Sequence, residues 1–234
     1  MRVKICGLTR SEDVSDAVGY GADAVGFIFG YRASARNRTF EQLKKLTRKV
    51  PPFVSVVVVS PSSNPDLPKV VKEIRPSFLQ LSSNSGRAIG SSSPEKTNKI
   101  ADAANIIETV HLTIGNIQSQ TSIISECKKF SKFSRGILLD SALVKPKNQG
   151  VDGNISDKFG GTGLTHDWEL SRQVRNALDP FPIILAGGLT EHNVLEAIRT
   201  VQPFAVDVSS GVESKPGIKD KVKMKNFIQN AKTG

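Results

Sequence analysis

The chain has 234 residues, of which 38% are hydrophobic and 23% are charged, and its formal net charge is +10. This length suits one large domain with a sizeable core, and the composition excludes an intrinsically disordered chain. The charged first residues lack the apolar segment of a signal peptide, and the apolar run at 53–59 is far shorter than the roughly 20 residues of a membrane span. We therefore expect a cytoplasmic protein with no membrane partner.

The two cysteines, Cys6 and Cys127, lie far apart and outside any metal-binding spacing. This pattern argues against a disulfide framework or a zinc site and suits a reducing compartment. The excess positive charge is spread over predicted outer helices with no interleaved aromatic residues, which is typical of solvated helix faces. We expect no nucleic-acid partner, although a basic field would attract a small phosphorylated molecule.

Short β-branched runs alternate with longer amphipathic stretches along the whole chain. The predicted strands are 2–6, 22–29, 53–59, 77–81, 106–112, 135–140, 181–187 and 204–209. The predicted helices are 10–19, 40–49, 65–74, 94–103, 116–130, 168–177, 190–200 and 220–231. Thr39, Thr190 and the Asp167–Trp168 step are predicted helix starts, because a short polar side chain can cap free N–H groups.

Eight strand–helix pairs in this length predict a parallel sheet, and their number indicates a closed (β/α)8 TIM barrel formed by a single domain, 1–234. An open doubly wound sheet is the alternative, but the turn after the first strand reads CGLTR and lacks its GxGxxG motif. Two polar stretches, 82–95 and 141–163, are predicted long loops, and the second is a candidate active-site lid.

The active site of such a barrel lies at the carboxyl ends of its strands, so residues with polar or reactive chemistry at those ends are the candidates. They are Cys6, Arg36, Gln80, Asp140, Gly187, Gly188, Asp207, Ser209, Ser210 and Gly211. From its position alone, Cys6 is equally a small buried hydrophobe or a reactive thiol. Strand alternation places Lys4 on the same inward face, and we hypothesise that its ammonium group favours the thiolate.

Several motifs occur in a characteristic order. They are KICGLT at 4–9, SAR at 34–36, LLD at 138–140, GGTG–x–x–x–DW at 160–168, AGGLTEHNV at 186–194 and PFAVDVSSGVESKPGIKD at 203–220. Together they resemble phosphoribosylanthranilate isomerase over nearly the whole chain. The resemblance implies a (β/α)8 barrel of tryptophan biosynthesis that performs an Amadori rearrangement of a small phosphorylated substrate, without metal or organic cofactor.

The resemblance also implies roles for the candidate residues. Cys6 matches the general base, Asp140 the general acid, and Arg36 the cation that binds the anthranilate carboxylate. The phosphate would bind the loops that hold Gly187, Gly188, Ser209, Ser210 and Gly211, while Asp207 would contact the polar middle of the substrate. Gln80 is a further candidate for substrate binding. An acid that acts near neutral pH needs a raised pKa, which burial or the substrate phosphate could give Asp140; an ordinary capping carboxylate is the alternative.

The chain departs from the family pattern in several places. Ser82–Ser83 stands where the family commonly has a His-Gly pair, and the loop at 141–159 is longer than usual. The three histidines, His111, His166 and His192, share no metal spacing; we expect His111 in or beside the fifth strand and His192 on the exposed first turn of a helix.

Other functions stay open at this point. The related histidine-pathway sugar isomerase uses carboxylates as both acid and base, and Cys6 stands where that family carries an aspartate. A non-catalytic phosphoribosyl-binding barrel would need no acid–base pair. The sequence is compatible with a monomer or a homodimer.

Overall fold

The computed structural model describes residues 1–82, 104–114, 120–143 and 168–234. Eight parallel strands pair in chain order, and the last pairs with the first, which closes the barrel. They are β1 Arg2–Ile5, β2 Ala24–Ile28, β3 Ser55–Pro61, β4 Phe78–Ser82, β5 Ile106–Ile114, β6 Gly136–Leu143, β7 Ile183–Leu185 and β8 Ala205–Val208. All eight predicted strands are present, so the (β/α)8 prediction is confirmed and the open doubly wound alternative is wrong.

Seven α-helices lie in the described residues. They are α1 Ser11–Gly19, α2 Phe40–Thr47, α3 Leu67–Glu73, α4 Gln120–Phe130, α5 Trp168–Leu178, α6 Val194–Val201 and α7 Lys221–Thr233. The helix predicted at 94–103, the Asp167 cap and His166 lie outside the described residues. None of these seven helices combines the length and the apolarity that a membrane crossing requires.

Thr39 begins α2 as predicted. Its hydroxyl accepts the N–H of Gln42 at 3.3 Å, and the Gln42 side chain accepts the N–H of Thr39 at 3.0 Å, which is a capping box. Thr190, in contrast, does not begin a helix, because α6 starts four residues later. Its hydroxyl accepts the N–H of His192, and Asn193 accepts the N–H of Thr190, so these side chains stabilise a separate turn. His192 therefore lies before the helix, where its side chain is exposed.

The barrel strands bury both faces. On the outer side, residues such as Val110 and Leu139 pack with Ile123, Cys127 and Val174 of the surrounding helices. Cys127 is therefore a small buried hydrophobe, and both cysteines are free thiols. The inner side carries an apolar layer formed by Ile107, Leu138, Ile184, Ala186 and Ala205. Polar inward side chains follow this layer towards the carboxyl ends.

Two features near the barrel mouth differ from the prediction. Residues 141–143 of the predicted lid continue β6 rather than forming a loop, because they pair with β5 as far as Ile114; residues 144–163 lie outside the described residues. A hairpin that was not predicted, β9 Glu213–Lys215 and β10 Ile218–Lys219, follows a short 3-10 helix at Ser210–Val212. This hairpin brings Glu213 and Lys219 to the barrel mouth.

Candidate active site

One cavity of about 710 Å³ opens at the carboxyl ends of the strands, in the size range of small-molecule sites. All ten residues predicted from the sequence line it: Cys6, Arg36, Gln80, Asp140, Gly187, Gly188, Asp207, Ser209, Ser210 and Gly211. Their convergence follows from the barrel, since parallel strands deliver the residues at their carboxyl ends to one rim.

A buried ion pair forms the floor beside Cys6. The ammonium group of Lys4 donates to Asp207 Oδ1 and to Gln80 Oε1, both at 2.9 Å, and Gln80 donates in turn to Thr109 Oγ1 at 3.2 Å. Lys4 is only 3% exposed. Burial opposes its charge, but the attraction of Asp207 and of the Cys6 thiolate outweighs burial and raises the pKa of Lys4. Lys4 is therefore a fixed cation at neutral pH.

Cys6 follows β1 directly, and its N–H continues the ladder by donating to the carbonyl of Val208 at 2.8 Å. A side chain at Gly26 on the neighbouring strand would overlap the Cys6 sulfur, so this glycine leaves the space that the thiol occupies. Burial raises the pKa of Cys6; Lys4 lowers it and Asp207 raises it, each by a smaller amount. The hypothesis that Lys4 favours the thiolate has the right direction, but burial has the larger effect.

Asp140 lies on β6 with its side chain about one-fifth exposed, and its Oδ1 accepts the N–H of Ser141 at 2.9 Å. Burial, followed by repulsion from the Asp207 carboxylate, raises the pKa of Asp140 to about 7. The Ser141 N–H and Lys4 oppose this increase but do not cancel it. A substantial fraction of Asp140 is therefore protonated near neutral pH, as a general acid requires.

Arg36 lies in the loop after β2 and binds Glu213 of the hairpin through one edge of its guanidinium group. Its Nε donates to Oε1 at 2.9 Å and an Nη to Oε2 at 2.6 Å. Lys219, which is buried, also donates to Glu213 at 2.9 Å and to the carbonyl of Ser209 at 2.8 Å. Two cations thus share one carboxylate, which leaves a net positive charge beside the loops that are predicted to bind phosphate.

The loops after β7 and β8 adopt backbone conformations that suit glycine. Gly187 and Gly188 have φ of 81° and 66°, and a side chain at Gly187 would overlap Ser141. A side chain at Gly211 would likewise overlap the carbonyl of Leu189. These glycines allow the two loops to lie close together, and a backbone without side chains permits close approach of a ligand.

Sequence reasoning missed a polar cluster on the opposite side of the cavity, formed by Tyr31, Ser82 and His111. His111 Nε2 lies 3.1 Å from Ser82 Oγ, and its Nδ1 lies 3.9 Å from Asp140 Oδ2. Burial lowers the pKa of His111 to about 4, so the imidazole is neutral at pH 7. The alternation that placed Lys4 inward would also have placed His111 inward, two residues beyond Thr109 on β5.

Comparisons with known proteins show which family the chain is similar to. Residues 3–230 match the model of a family described as N-(5'-phosphoribosyl)anthranilate isomerase. A relative with that name from Methanocella arvoryzae is 36% identical over 99% of this chain and 98% of its own length.

Two crystal structures match the whole chain over their own full length. Phosphoribosyl anthranilate isomerase from Thermotoga maritima has 35% identity and a TM-score of 0.80. A structure of a phosphoribosyl anthranilate isomerase in complex with reduced 1-(o-carboxyphenylamino)-1-deoxyribulose 5-phosphate has 33% identity and a TM-score of 0.77.

Proposed function

The chain belongs to the N-(5'-phosphoribosyl)anthranilate isomerase family, and we propose that it carries out this isomerisation with Cys6 as general base and Asp140 as general acid. The reaction is a step of tryptophan biosynthesis and yields 1-(2-carboxyphenylamino)-1-deoxyribulose 5-phosphate. The observation that supports these roles is the presence in one cavity of a carboxyl group with a pKa of about 7 and of a buried thiol beside a cation.

Asp140 starts the reaction by giving its proton to the ring oxygen of the ribose. The bond between that oxygen and C1 breaks as the anilino nitrogen forms a double bond to C1. The Cys6 thiolate then removes the proton from C2, which gives an enol. The enol becomes the ketone as C1 gains a proton and the hydroxyl on C2 loses one. Asp140 is now ionised and Cys6 protonated, and solvent returns the proton from thiol to carboxylate.

The cations of the site divide between the two anionic groups of the substrate. Glu213 engages the Nε edge of Arg36 and so orients the opposite edge, which we assign to the anthranilate carboxylate as a bidentate partner. The loops of Gly187, Gly188 and Ser209 to Gly211 would hold the phosphate through backbone N–H groups and hydroxyls. The hydroxyl of Ser209 has no hydrogen-bond partner among the described residues, which suits a contact to the anion.

A steady-state assay of the rearrangement, combined with ligand binding, tests the two roles. Cys6→Ser and Asp140→Asn should each lose activity by about 100-fold or more, as expected for a general acid or base, while still binding a product analogue. Cys127→Ala, at the other cysteine, which packs on the outer side of the barrel and does not line the cavity, is the matched control and should stay near the parent rate. Full activity in either site variant would exclude that residue from its role.

Several wider expectations stay predictions. They are a single domain spanning 1–234, a cytoplasmic location, a monomer or homodimer, a reaction without metal or cofactor, and a lack of nucleic-acid partners. The proposed chemistry requires neither a metal nor a cofactor, since proton transfers account for every bond that changes.

A further inference from the structure

We propose that His111 is a positioning residue for Asp140, and that Ser82 and Tyr31 hold its imidazole in the tautomer whose Nδ1–H faces the Asp140 carboxyl group. This inference rests on the proposed function, because it requires Asp140 to be the acid of the reaction. It adds to that function a group whose task is to receive the carboxylate once the proton has left.

The barrel places the side chains of His111 and Asp140 next to each other. His111 on β5 and Asp140 on β6 are direct partners in the strand register, so their side chains emerge side by side on the inner face. Both are largely buried, at 18% and 20% exposure. The separation of 3.9 Å between His111 Nδ1 and Asp140 Oδ2 exceeds a hydrogen bond by about 1 Å. Catalytic hydrogen bonds are often this long without substrate and shorten in the complex.

The other edge of the imidazole fixes its tautomer. The Tyr31 hydroxyl interacts with the Ser82 side chain, and Ser82 Oγ lies 3.1 Å from His111 Nε2. Burial raises the pKa of Tyr31 and outweighs the opposite effect of its hydrogen bond with Ser82, so the phenol is neutral and its O–H is available as a donor to Ser82. In the proposed arrangement Ser82 donates to Nε2, and a neutral imidazole that accepts at Nε2 carries its proton on Nδ1. The three donors therefore point in one direction, towards Asp140.

A neutral donor suits this place better than a cation. A full positive charge next to Asp140 would lower its pKa strongly and remove the proton that it must deliver. The low pKa of His111 keeps the imidazole uncharged, so it stabilises the carboxylate through one N–H dipole only. The other groups that act on the pKa of Asp140 are Asp207, which raises it, and the Ser141 N–H and Lys4, which lower it.

Two substitutions of His111 test the roles of its two ring nitrogens separately. The amide nitrogen of asparagine lies close to the position of Nδ1, whereas that of glutamine lies close to Nε2. His111→Asn should keep kcat within about threefold of the parent, while His111→Gln should lower kcat by about 10- to 100-fold with little change in KM, as a displaced catalytic group does. In His111→Gln the midpoint of the pH dependence of kcat/KM near 7 should also move upward, because the carboxylate loses a donor.

Equal activity of the two variants, or a less active His111→Asn, would overturn the proposal. A purely structural role would favour His111→Gln, because its amide nitrogen lies close to Nε2, the position that contacts Ser82. If neither variant folds, Ser82→Ala and Tyr31→Phe replace them. Each should lower kcat by about three- to tenfold and move the same midpoint upward, because the tautomer is released. An unchanged kcat and midpoint in both would overturn the proposal equally.

The Asp140→Asn variant distinguishes this proposal from the function on which it rests. Full activity in Asp140→Asn would exclude Asp140 as the general acid and would refute the proposed function. If Asp140→Asn is inactive and His111→Gln is fully active, only the positioning role of His111 is excluded. In the Asp140→Asn background, a further His111→Gln change should have no added effect, because the group that it positions is already absent.

Discussion

Replacing Lys4 by methionine should raise the pKa of the Cys6 thiol. Lys4 is the strongest of the groups that lower this pKa, and it acts from a buried position where screening by solvent is weak. An opposite charge at such short range shifts a pKa by about 1 to 3 units, and each unit corresponds to about 1.4 kcal/mol. We therefore expect a rise of at least about one unit in Lys4→Met.

The single variant leaves the Asp207 carboxylate buried without its partner, which costs about 3–5 kcal/mol out of a total stability of about 5–15 kcal/mol. The pair Lys4→Met with Asp207→Asn removes both charges and avoids this cost. The thiol pKa should still rise in the double variant, because the lowering effect of Lys4 on Cys6 exceeds the raising effect of Asp207. Lys4→Arg keeps the charge and is the matched control.

The assay is alkylation of Cys6 as a function of pH, in a Cys127→Ala background so that one thiol reacts. Below the pKa, a rise of one unit reduces the thiolate fraction about tenfold, but the more basic thiolate is more nucleophilic, so the rate at fixed pH falls only about three- to fourfold. The midpoint is therefore the more sensitive measurement. An unchanged or lower midpoint in both Lys4→Met and the double variant would refute the reasoning.

Three further predictions follow from the charges and caps of the structure. The value of kcat/KM should rise about tenfold per pH unit up to the pKa of Asp140 near 7 and then level off. Above that pH the increase in the Cys6 thiolate fraction is offset by the decrease in the protonated fraction of Asp140. A bend that persists in the residual activity of Asp140→Asn would contradict this assignment. Glu213→Gln should raise KM about tenfold with a smaller change in kcat, because Arg36 loses the partner that orients it, and an unchanged KM would argue against that role. Thr39→Ala should lower the free energy of unfolding by about 1 kcal/mol in urea titrations, because α2 loses its capping box, whereas an unchanged value would show that the cap contributes no net stability.

The barrel was predictable because its strands are buried on both faces and therefore appear as short, nearly continuous apolar runs at regular spacing. The run at 53–59, for example, overlaps β3 at Ser55–Pro61. Site residues at the ends of such runs were predictable for the same reason, since the end of a parallel strand determines its position on the rim. The positions of Cys6 and Asp140 at the ends of predicted strands were sufficient to predict that they line one cavity.

The details that depend on contacts between distant segments were not predictable. Glu213 reaches Arg36 across 177 positions of sequence through a hairpin whose strands have two or three residues, too short to give a periodic signal. Thr190 fits the pattern of a helix cap, but the Asn193 side chain accepts its N–H and donates to Gly188, which fixes a turn before the helix begins. In both cases a local pattern was overruled by a specific side-chain contact.

The two groups that we propose as acid and base also show why the cations around them matter. Burial raises the pKa of both, which helps the acid and hinders the base, because Asp140 gains its proton while Cys6 keeps its own. The reactive form, with Asp140 protonated and Cys6 ionised, is therefore a minority of the enzyme at every pH, and its population between the two pKa values depends on how far apart they lie. Lys4 lowers both values, but its effect on Cys6 is second only to burial, whereas its effect on Asp140 is the smallest of four. Through its effect on Cys6, a buried lysine at this position increases the reactive population, while burial and Asp207 keep the acid protonated.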